Sequence, residues 1–594
     1  MFRIRYKTIQ YRPDLQVSIR SQQIGDWQED IGGNYVNDEW VFVLDDSDLN
    51  GVFNFKFVLE RQVWMVGPNL VLQPQNGESY FYEESNVQFA PIAEAIVENN
   101  AIAQQFFPPN FNENIFYDVI VIGSGVGGGV VADQAADLGL KVLVLELGSY
   151  LFPSHIGNLP RQHQIANQVD KHIWALWDEF KITNYVNVPG SSYGGGQGFC
   201  LGGRSVFWGG FIPRMTWWEL ELWPQEVKWY LEDTGYDKAE QLLKKSVPDS
   251  SYQSNVISFF RLSFNGYNTI SAPMAVQVSN PLTNNIAAGI FSTADLLMES
   301  ALTKGPKGSD NLTINLNQAV TKLEWENDKV TAVSAFDLLS NTQRTYHAKQ
   351  VVLSAGTVES AKLAALSGLK NTSGLSGKGI TDHPIFFTHF ALPNTAPLYR
   401  SDSAAKILLR HKEAAPNNHR YNILIELGAD FNQGRHVDPD ILEEMQRVKD
   451  HSMLCEIVFL FNAPLSDNHS VQHVGPSFVK PQINLQEMPI SVDEWNQINA
   501  IQQQILNALG AQALPGNDLA LKRAGMGGVA HEVGTLRLGQ PNQAVVDTNL
   551  KYVGYDNLYV CDLSVFPSSP AANPTLTLAA LALRLSEHLK EQLN

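Results

Sequence analysis

The sequence predicts an α/β protein whose main body is a parallel β-sheet covered by helices, preceded by a small antiparallel β-sandwich. Two observations carry this prediction. At residue 116 the texture changes to "FYDVIVIGSGVGGGVVADQAADLGLKVLVLELG", where near-continuous apolar strands flank glycines and a helix. Strands that are apolar on both sides belong to parallel sheets covered on both faces. Before it, "LQVSIR", "EWVFVL", "FNFKFVL" and "NLVLQ" alternate apolar and polar positions between turn-formers such as "DDSDLNG" and "VGPN". Short alternating strands at this spacing read as a sandwich.

The elements follow in order. The sandwich occupies residues 1–90, and "APIAEAIVENNAIAQQFFPPNFNENI" reads as a helix and linker over 91–115. The strand Val119–Ile122, a glycine turn, a helix and the strand "KVLVLE" open the main body. Residues 216–300 and 385–525 are aromatic and read as loop-rich and irregular. Between them, "NLTINLNQAVTKLEWENDKVTAVSAFDLL" reads as strands and hairpins, and "KQVVLSAGTVESAKLAALSG" as strand, glycine turn and helix. "LTLAALALRLSEHLKEQLN" is an amphipathic terminal helix. No internal repeat or low-complexity tract interrupts the chain.

Composition limits the function classes. The 594 residues correspond to roughly three to four domain-sized units. With 44% hydrophobic and 17% charged residues, each unit can bury a core. The formal charge is −19 and no Lys/Arg block occurs, which disfavours nucleic acid and anionic membranes as partners. Cys200, Cys455 and Cys561 form no CxxC pair, and three cysteines in a chain of this size point to a reducing, cytoplasmic setting. "MFRIRYKTIQYR" lacks the apolar core of a secretory leader, and no run approaches the ~20 apolar residues of a membrane span.

Chemistry concentrates in three places. "GSGVGG" supplies Gly123, Gly125 and Gly128, with Ser124 between the first two, directly after a strand and opening a helix. The first glycine permits a tight turn, the second lets backbone approach a pyrophosphate, and the third lets helix pack on strand. Glu146 ends the next strand, 23 residues after Gly123, where a carboxylate can accept from ribose hydroxyls. Strand, glycines, helix, strand and acid together read as dinucleotide binding. Second, "YGGGQGFCLGGRSVFWGG" packs eight glycines into residues 193–210, with Phe199, Phe207 and Trp208 interleaved. Backbone this bare runs close against something large or flat, and the aromatics require burial. Third, "HEVGTLRLG" (531–539) presents His531, which by itself reads as a core histidine, a metal ligand or a base. No second His, Cys or carboxylate sits at ligand spacing around it, which argues against a metal.

Taken together these pieces resemble the glucose–methanol–choline (GMC) flavoprotein oxidoreductases across residues 116–594. The order matches: the glycine fingerprint with Glu146, "CLGGRSVFWGG", "SAGTVESAKLAALSG", "DHP" (382–384), "HEVGTLRLG", "VVD" and "NLYVCDLSVFPSSPAANPTLTLAALAL". The resemblance implies the GMC fold: a Rossmann-type FAD-binding domain built from 116–215, 301–384 and 526–594, and a sheet-and-helix substrate domain from 216–300 and 385–525. It implies FAD contacts at Gly123, Ser124, Gly125, Gly128, Glu146, Gly202, Gly203, Ser205, Trp208, Gly209, Val320, Asp562, Pro574 and Thr575. Asp562, after the strand "LYVCD", is expected at the ribityl hydroxyls, though it also suits an ordinary N-cap.

The same resemblance implies that His531 faces the flavin and takes the alcohol proton, with Asn573 orienting the alcohol oxygen. Hydride passes from carbon to flavin N5. The Gly/Trp stretch looks closest to the pyranose-oxidase-like branch, many of whose members attach FAD through a histidine before the Trp. Phe207 stands there, so FAD is expected to be held non-covalently. The expected substrate is a small alcohol or sugar hydroxyl, and the electron acceptor O2 or a quinone-like carrier.

The N-terminal part, about residues 1–85, resembles starch-binding carbohydrate modules. Trp27, Lys56 and Trp64 fall where those modules place a sugar platform, which implies a glucan as a further partner. The alternative is that these residues are sandwich core. Two other functional readings stay open from sequence: a non-redox relative in which flavin is structural and His531 performs lyase-type chemistry, and a mainly glycan-binding protein.

Overall fold

The computed structural model describes the chain except residues 14, 46–50, 62, 90–100, 153, 156–163, 166–167, 170–182, 278–288, 303–310, 402, 429–451, 515, 529, 541 and 594. The described residues form two compact units, one of residues 1–95 with 336–343 and 474–480, the other of the remainder. The expected linker helix lies partly outside the described residues; its later part is the helix Ala101–Phe106.

The first unit is a sandwich of two sheets. One orders Asn34–Val36, Glu39–Leu44, Phe2–Lys7 and Ser79–Glu83; the other orders Ile31–Gly32, Val17–Ser21, Phe53–Leu59 and Val63–Trp64, with Leu70–Leu72 beside Phe53–Leu59. Alternation places Phe2, Ile4 and Tyr6 inward, against Phe53, Phe55 and Phe57. The alternating N-terminal stretch is a central strand of the sandwich, and its pairing corrects the expectation of an antiparallel fold. It pairs antiparallel with Glu39–Leu44 but parallel with Ser79–Glu83, so the sandwich is not wholly antiparallel.

The second unit holds a seven-stranded sheet in the order Leu312–Asn315, Val142–Leu145, Phe116–Ile122, Thr342–Leu353, Lys329–Asp337 and Gln318–Glu326, with Leu558–Val560 beside Thr342–Leu353. The neighbours of Phe116–Ile122 and Val142–Leu145, and Leu558–Val560 on Thr342–Leu353, are all parallel. Val119, Ile120 and Val121, and Val142, Leu143 and Val144, are fully buried, as strands covered on both faces must be. The helices Val126–Asp137 and Thr575–Leu593 pack together over this sheet.

A six-stranded sheet in the same unit orders Tyr267–Ser271, Ala405–His411, Tyr421–Leu427, Ser452–Phe461, Ile385–Pro393 and Lys522–Arg523. The 18-residue helix Val492–Leu509, closed by a capping box at Ser491 and by Gly510, contributes Ile498, Ile505 and Leu509 to its core. The expectation that 385–525 is irregular is therefore corrected. The fold in which these strands lie is regular, and its second face is also covered, by Phe211, Ile385, Leu408, Leu424 and Leu460. Among the described residues no helix is long and apolar enough to cross a membrane. The three cysteines are free and buried.

Candidate active site

The carboxyl ends of the parallel strands converge, and in open α/β sheets that edge is where ligands bind. Gly123 follows Ile122, Glu146 follows Leu145, Ser354 follows Leu353, and Cys561 and Asp562 follow Val560. Gly123 has φ +99°, and a Cβ there would lie 2.4 Å from the Ser354 carbonyl oxygen. No other residue fits. Gly128 is equally bare because its Cβ would fall 2.1 Å from the Gly123 oxygen. Gly125 is different: nothing lies within 4 Å of its would-be Cβ, and as N-cap of the Val126–Asp137 helix it offers no side-chain cap. The helix N-terminus therefore carries no side-chain cap and leaves room beside Gly125, a cradle that fits a pyrophosphate.

Glu146 is buried, and its Oε2 accepts from Ser124 N at 3.0 Å and Ser124 Oγ at 2.6 Å, while Oε1 accepts from Gly148 N at 2.9 Å. Burial pushes its carboxyl up, and these hydrogen bonds oppose the shift. Its observed work is to hold the glycine turn; carboxylate oxygens have lone pairs to spare for a ribose.

Loop 202–208 lies against that turn. Gly202 has φ +86° and donates its N–H to Ser124 Oγ at 3.0 Å; Gly203 sits so that its Cβ would be 3.3 Å from Gly125 Cα. Ser205 Oγ donates to the Gly202 carbonyl at 2.6 Å and accepts from Thr293 N at 2.9 Å. Thr293, unmarked in the sequence reading, also donates through Oγ1 to the Ser124 carbonyl at 2.9 Å. Trp208 and Gly209 remain half-buried, the indole N–H donating to the Phe291 carbonyl at 2.8 Å. Val320 lies on Gln318–Glu326, two residues after Gln318, whose N–H donates to the Glu146 carbonyl at 2.8 Å. Asp562 does what the alternative reading allowed. Its Oδ1 accepts from Ser564 N at 2.9 Å as N-cap of a short 3-10 turn, and its Oδ2 accepts from Gly356 N at 3.0 Å and from Ser360 Oγ.

His531 Nδ1 lies 3.0 Å from His383 Nε2, and His383 Nδ1 lies 2.7 Å from the Pro570 carbonyl oxygen. A carbonyl only accepts, so His383 donates to it through Nδ1–H, and in the neutral ring its Nε2 is then an acceptor. With both rings neutral, His531 donates through Nδ1–H, and Nε2 is its unprotonated nitrogen. That is the tautomer a base requires. His383 also ties the 531 segment to the 570–573 turn. The local sequence showed no ligand-type group around His531, and here the fold corrects it: Asp382, His383 and His531 bring their ligating atoms within 4.8 Å of one another. Asp382 is committed elsewhere, with Oδ1 accepting from His383 N at 2.8 Å and Oδ2 from Gly527 N at 2.9 Å. Burial, and next the charge of Glu532, push its carboxyl up to about 8.

Asn573 is 5% exposed, and its Oδ1 is buried without a hydrogen-bond partner. A buried amide oxygen left this way costs free energy until a donor arrives. The preceding turn is pinned by Glu219, whose Oε1 accepts from Ala572 N at 2.6 Å. Pro574 is buried, and Thr575 begins the terminal helix. The sequence reading missed Glu219 and His383; "DHP" was legible as a motif, but its partners lie 148 and 187 residues away.

In the first unit, Trp27 and Trp64 are half-buried neighbours, with ring centroids 6.0 Å apart at 58°. Lys56 Nζ donates to the Met65 and Gly67 carbonyls at 3.3 and 2.7 Å.

Comparison with known proteins adds to this geometry. Residues 300–385 match the N-terminal domain of GMC oxidoreductases and residues 487–582 the C-terminal domain. The chain is 24% identical over 511 residues to a paromamine 6'-oxidase of Streptomyces fradiae, covering 79% of this chain and 90% of the relative. It is 23% identical over 538 residues to an oxygen-dependent choline dehydrogenase of Cronobacter sakazakii, covering 80% and 95%. The crystal structure of a pyridoxine 4-oxidase from Mesorbium loti shares the fold with a TM-score of 0.52 at 17% identity, covering 80% of this chain and 99% of that one.

Proposed function

We infer that this chain, which carries both GMC oxidoreductase domains, is a flavoprotein oxidoreductase that oxidises an alcohol or sugar hydroxyl, with His531 as the base. The observation that carries the reading is the His383 relay, because it leaves His531 with the Nε2 lone pair that proton abstraction needs.

Bound FAD supplies the hydride acceptor. The chain's own residues do the rest. The turn of Gly123, Gly125 and Gly128 takes the pyrophosphate, Glu146 the ribose, and loop 202–208 with Gly209 runs along the cofactor. Phe207, 2% exposed, has no nucleophilic atom to form a covalent link, which favours non-covalent FAD. Asn573 donates through Nδ2 to the alcohol oxygen, fixing the alcohol so that its one hydroxyl proton points to His531. Segments 116–215, 301–384 and 526–594 hold the cofactor, and segments 216–300 and 385–525 face the substrate. O2 or a quinone-like carrier takes the electrons onward.

The test is anaerobic flavin bleaching with a panel of alcohols, sugars and glycosides. The expectation is bleaching by at least one member, lost by roughly 10²–10⁴-fold in His531→Ala with FAD retained. Glu146→Ala is expected to lose FAD instead. If no polyol or alcohol bleaches the parent, the redox reading is wrong; if His531→Ala bleaches at the parent rate, only the base assignment is.

A further inference from the structure

Glu532 adjoins His531, and its side chain is 2% exposed. Arg204 Nη1 sits between its two carboxylate oxygens, at 3.1 and 2.8 Å, and Tyr193 donates its phenol to Oε1. The three come from segments 193–204 and 532, separated by more than 300 positions. The packing leaves no slack. A Cβ on Gly195 would lie 2.4 Å from the Tyr193 hydroxyl and 2.9 Å from Glu532 Oε1, and one on Gly527 would lie 2.5 Å from the Tyr193 ring.

Burial and the Glu532 charge hold the Tyr193 phenol well above its ordinary range, so it is a permanent donor. Burial works against the Arg204 cation, and Glu532, with Tyr193 and Tyr185, more than offsets it. As a source of stability such a pair is poor, because desolvation consumes most of the attraction. As a source of direction it is good, since a charge-assisted contact fixes where both partners stand.

What it joins is the point. Arg204 follows Gly202 and Gly203, which rest on Ser124 and Gly125 of the glycine turn. Glu532 precedes Val533, whose backbone N–H donates to Thr381 O at 2.9 Å, and its own carbonyl accepts from Thr357 Oγ1 at 2.6 Å. We propose that Arg204, Glu532 and Tyr193 form a buried clasp that sets the position of His531 against loop 202–208, making them positioning residues for the oxidation. The proposal rests on the reading of His531 as base. None of the three needs to touch substrate.

The charged and titratable groups packed around this segment are Asp382, His383, Glu532, Arg204 and Tyr193, with Tyr185 beside Arg204 and Tyr193 and donating its phenol to Glu359 at 3.0 Å. Glu532→Gln and Arg204→Met are measured singly and together, by flavin absorbance for cofactor content and by stopped-flow flavin reduction across pH. Each single variant is expected to keep flavin and reduce it about 10–100-fold more slowly, the penalty of a displaced base. Glu532→Gln leaves Arg204 uncompensated and makes the base harder to protonate, so the acid limb moves to lower pH. Arg204→Met leaves the carboxylate uncompensated and moves the limb to higher pH. The double variant returns the limb to its parent position while the rate stays low.

Parental rates with unmoved limbs would overturn the clasp, as would limbs that move in the same direction. Should the charge variants lose flavin altogether, Tyr193→Phe keeps the ring and removes only the phenol. It is expected to slow reduction several-fold at parental flavin content, and a parental rate there sinks the proposal. His531→Ala separates the two readings. If it reduces flavin normally, the base assignment fails; if it is inactive while the clasp variants are normal, the clasp alone fails.

Discussion

Asp382 holds a proton that an ordinary aspartate would have lost. Its carboxyl sits at about 8 against an ordinary 3.8 because it is buried and faces Glu532. A folded-state value raised above the unfolded one means the unfolded chain ionises first. Asp382 therefore costs folding nothing below about pH 4, costs progressively more as pH rises toward 8, and adds no further slope above it. Asp382→Asn has no such slope. Thermal scans of flavin-loaded parent and variant from pH 5 to 9 should show the variant gaining on the parent up to about pH 8 and then running parallel. A constant gap across the range would mean that Asp382 is ionised throughout. At this scale the sequence was only partly legible. His531 and Asn573 could be named as candidates because their motifs are local, whereas His383, Glu219 and Arg204 meet partners that only the fold brings near.

Elements built from glycine and branched aliphatics were the most legible. "DVIVIGSGVGG" dictates a buried strand, a turn at positive φ and a helix pressed onto the sheet, and each is present. The pressing has a number: a Cβ on Gly127 would fall 1.9 Å from the Cys561 carbonyl oxygen. Backbone cannot yield as a side chain can, so Gly127→Ala must lift the helix from the Leu558–Val560 strand. Overpacking of this kind costs about 1–3 kcal/mol, seen as a lowered thermal midpoint together with weaker FAD retention. An unchanged midpoint would show that the helix can shift freely. The six-stranded sheet was illegible for the converse reason. Ile423 and Ile425 pack into one core and Leu424 into another, so the strand Tyr421–Leu427 shows no alternation to read.

At the scale of the whole molecule, the first unit has a core of its own, Phe2, Tyr6, Phe53, Phe55 and Phe57, completed by Phe478 from far along the chain, whose ring lies 6.0 Å from Tyr11. The alternating strands announced the sandwich; nothing around residue 478 announced its membership, because one aromatic in a loop carries no period. Whether this unit binds glucan turns on Trp27 and Trp64. Core aromatics would be fully covered, as Phe53 and Phe55 are, yet both indoles are half-buried and touch each other at 58°. Rings so inclined form a notch rather than a plane. Arg20, 5.3 Å above Trp64, and Lys56, tied to two carbonyls, hold the notch in shape. In native gels cast with soluble starch the parent should be retarded, and Trp27→Ala with Trp64→Ala should run as it does without starch. Flavin reduction by a free small substrate should be the same in both, since the notch belongs to the sandwich unit and His531 to the other. A parent indifferent to starch would leave the two indoles as packing of the sandwich surface.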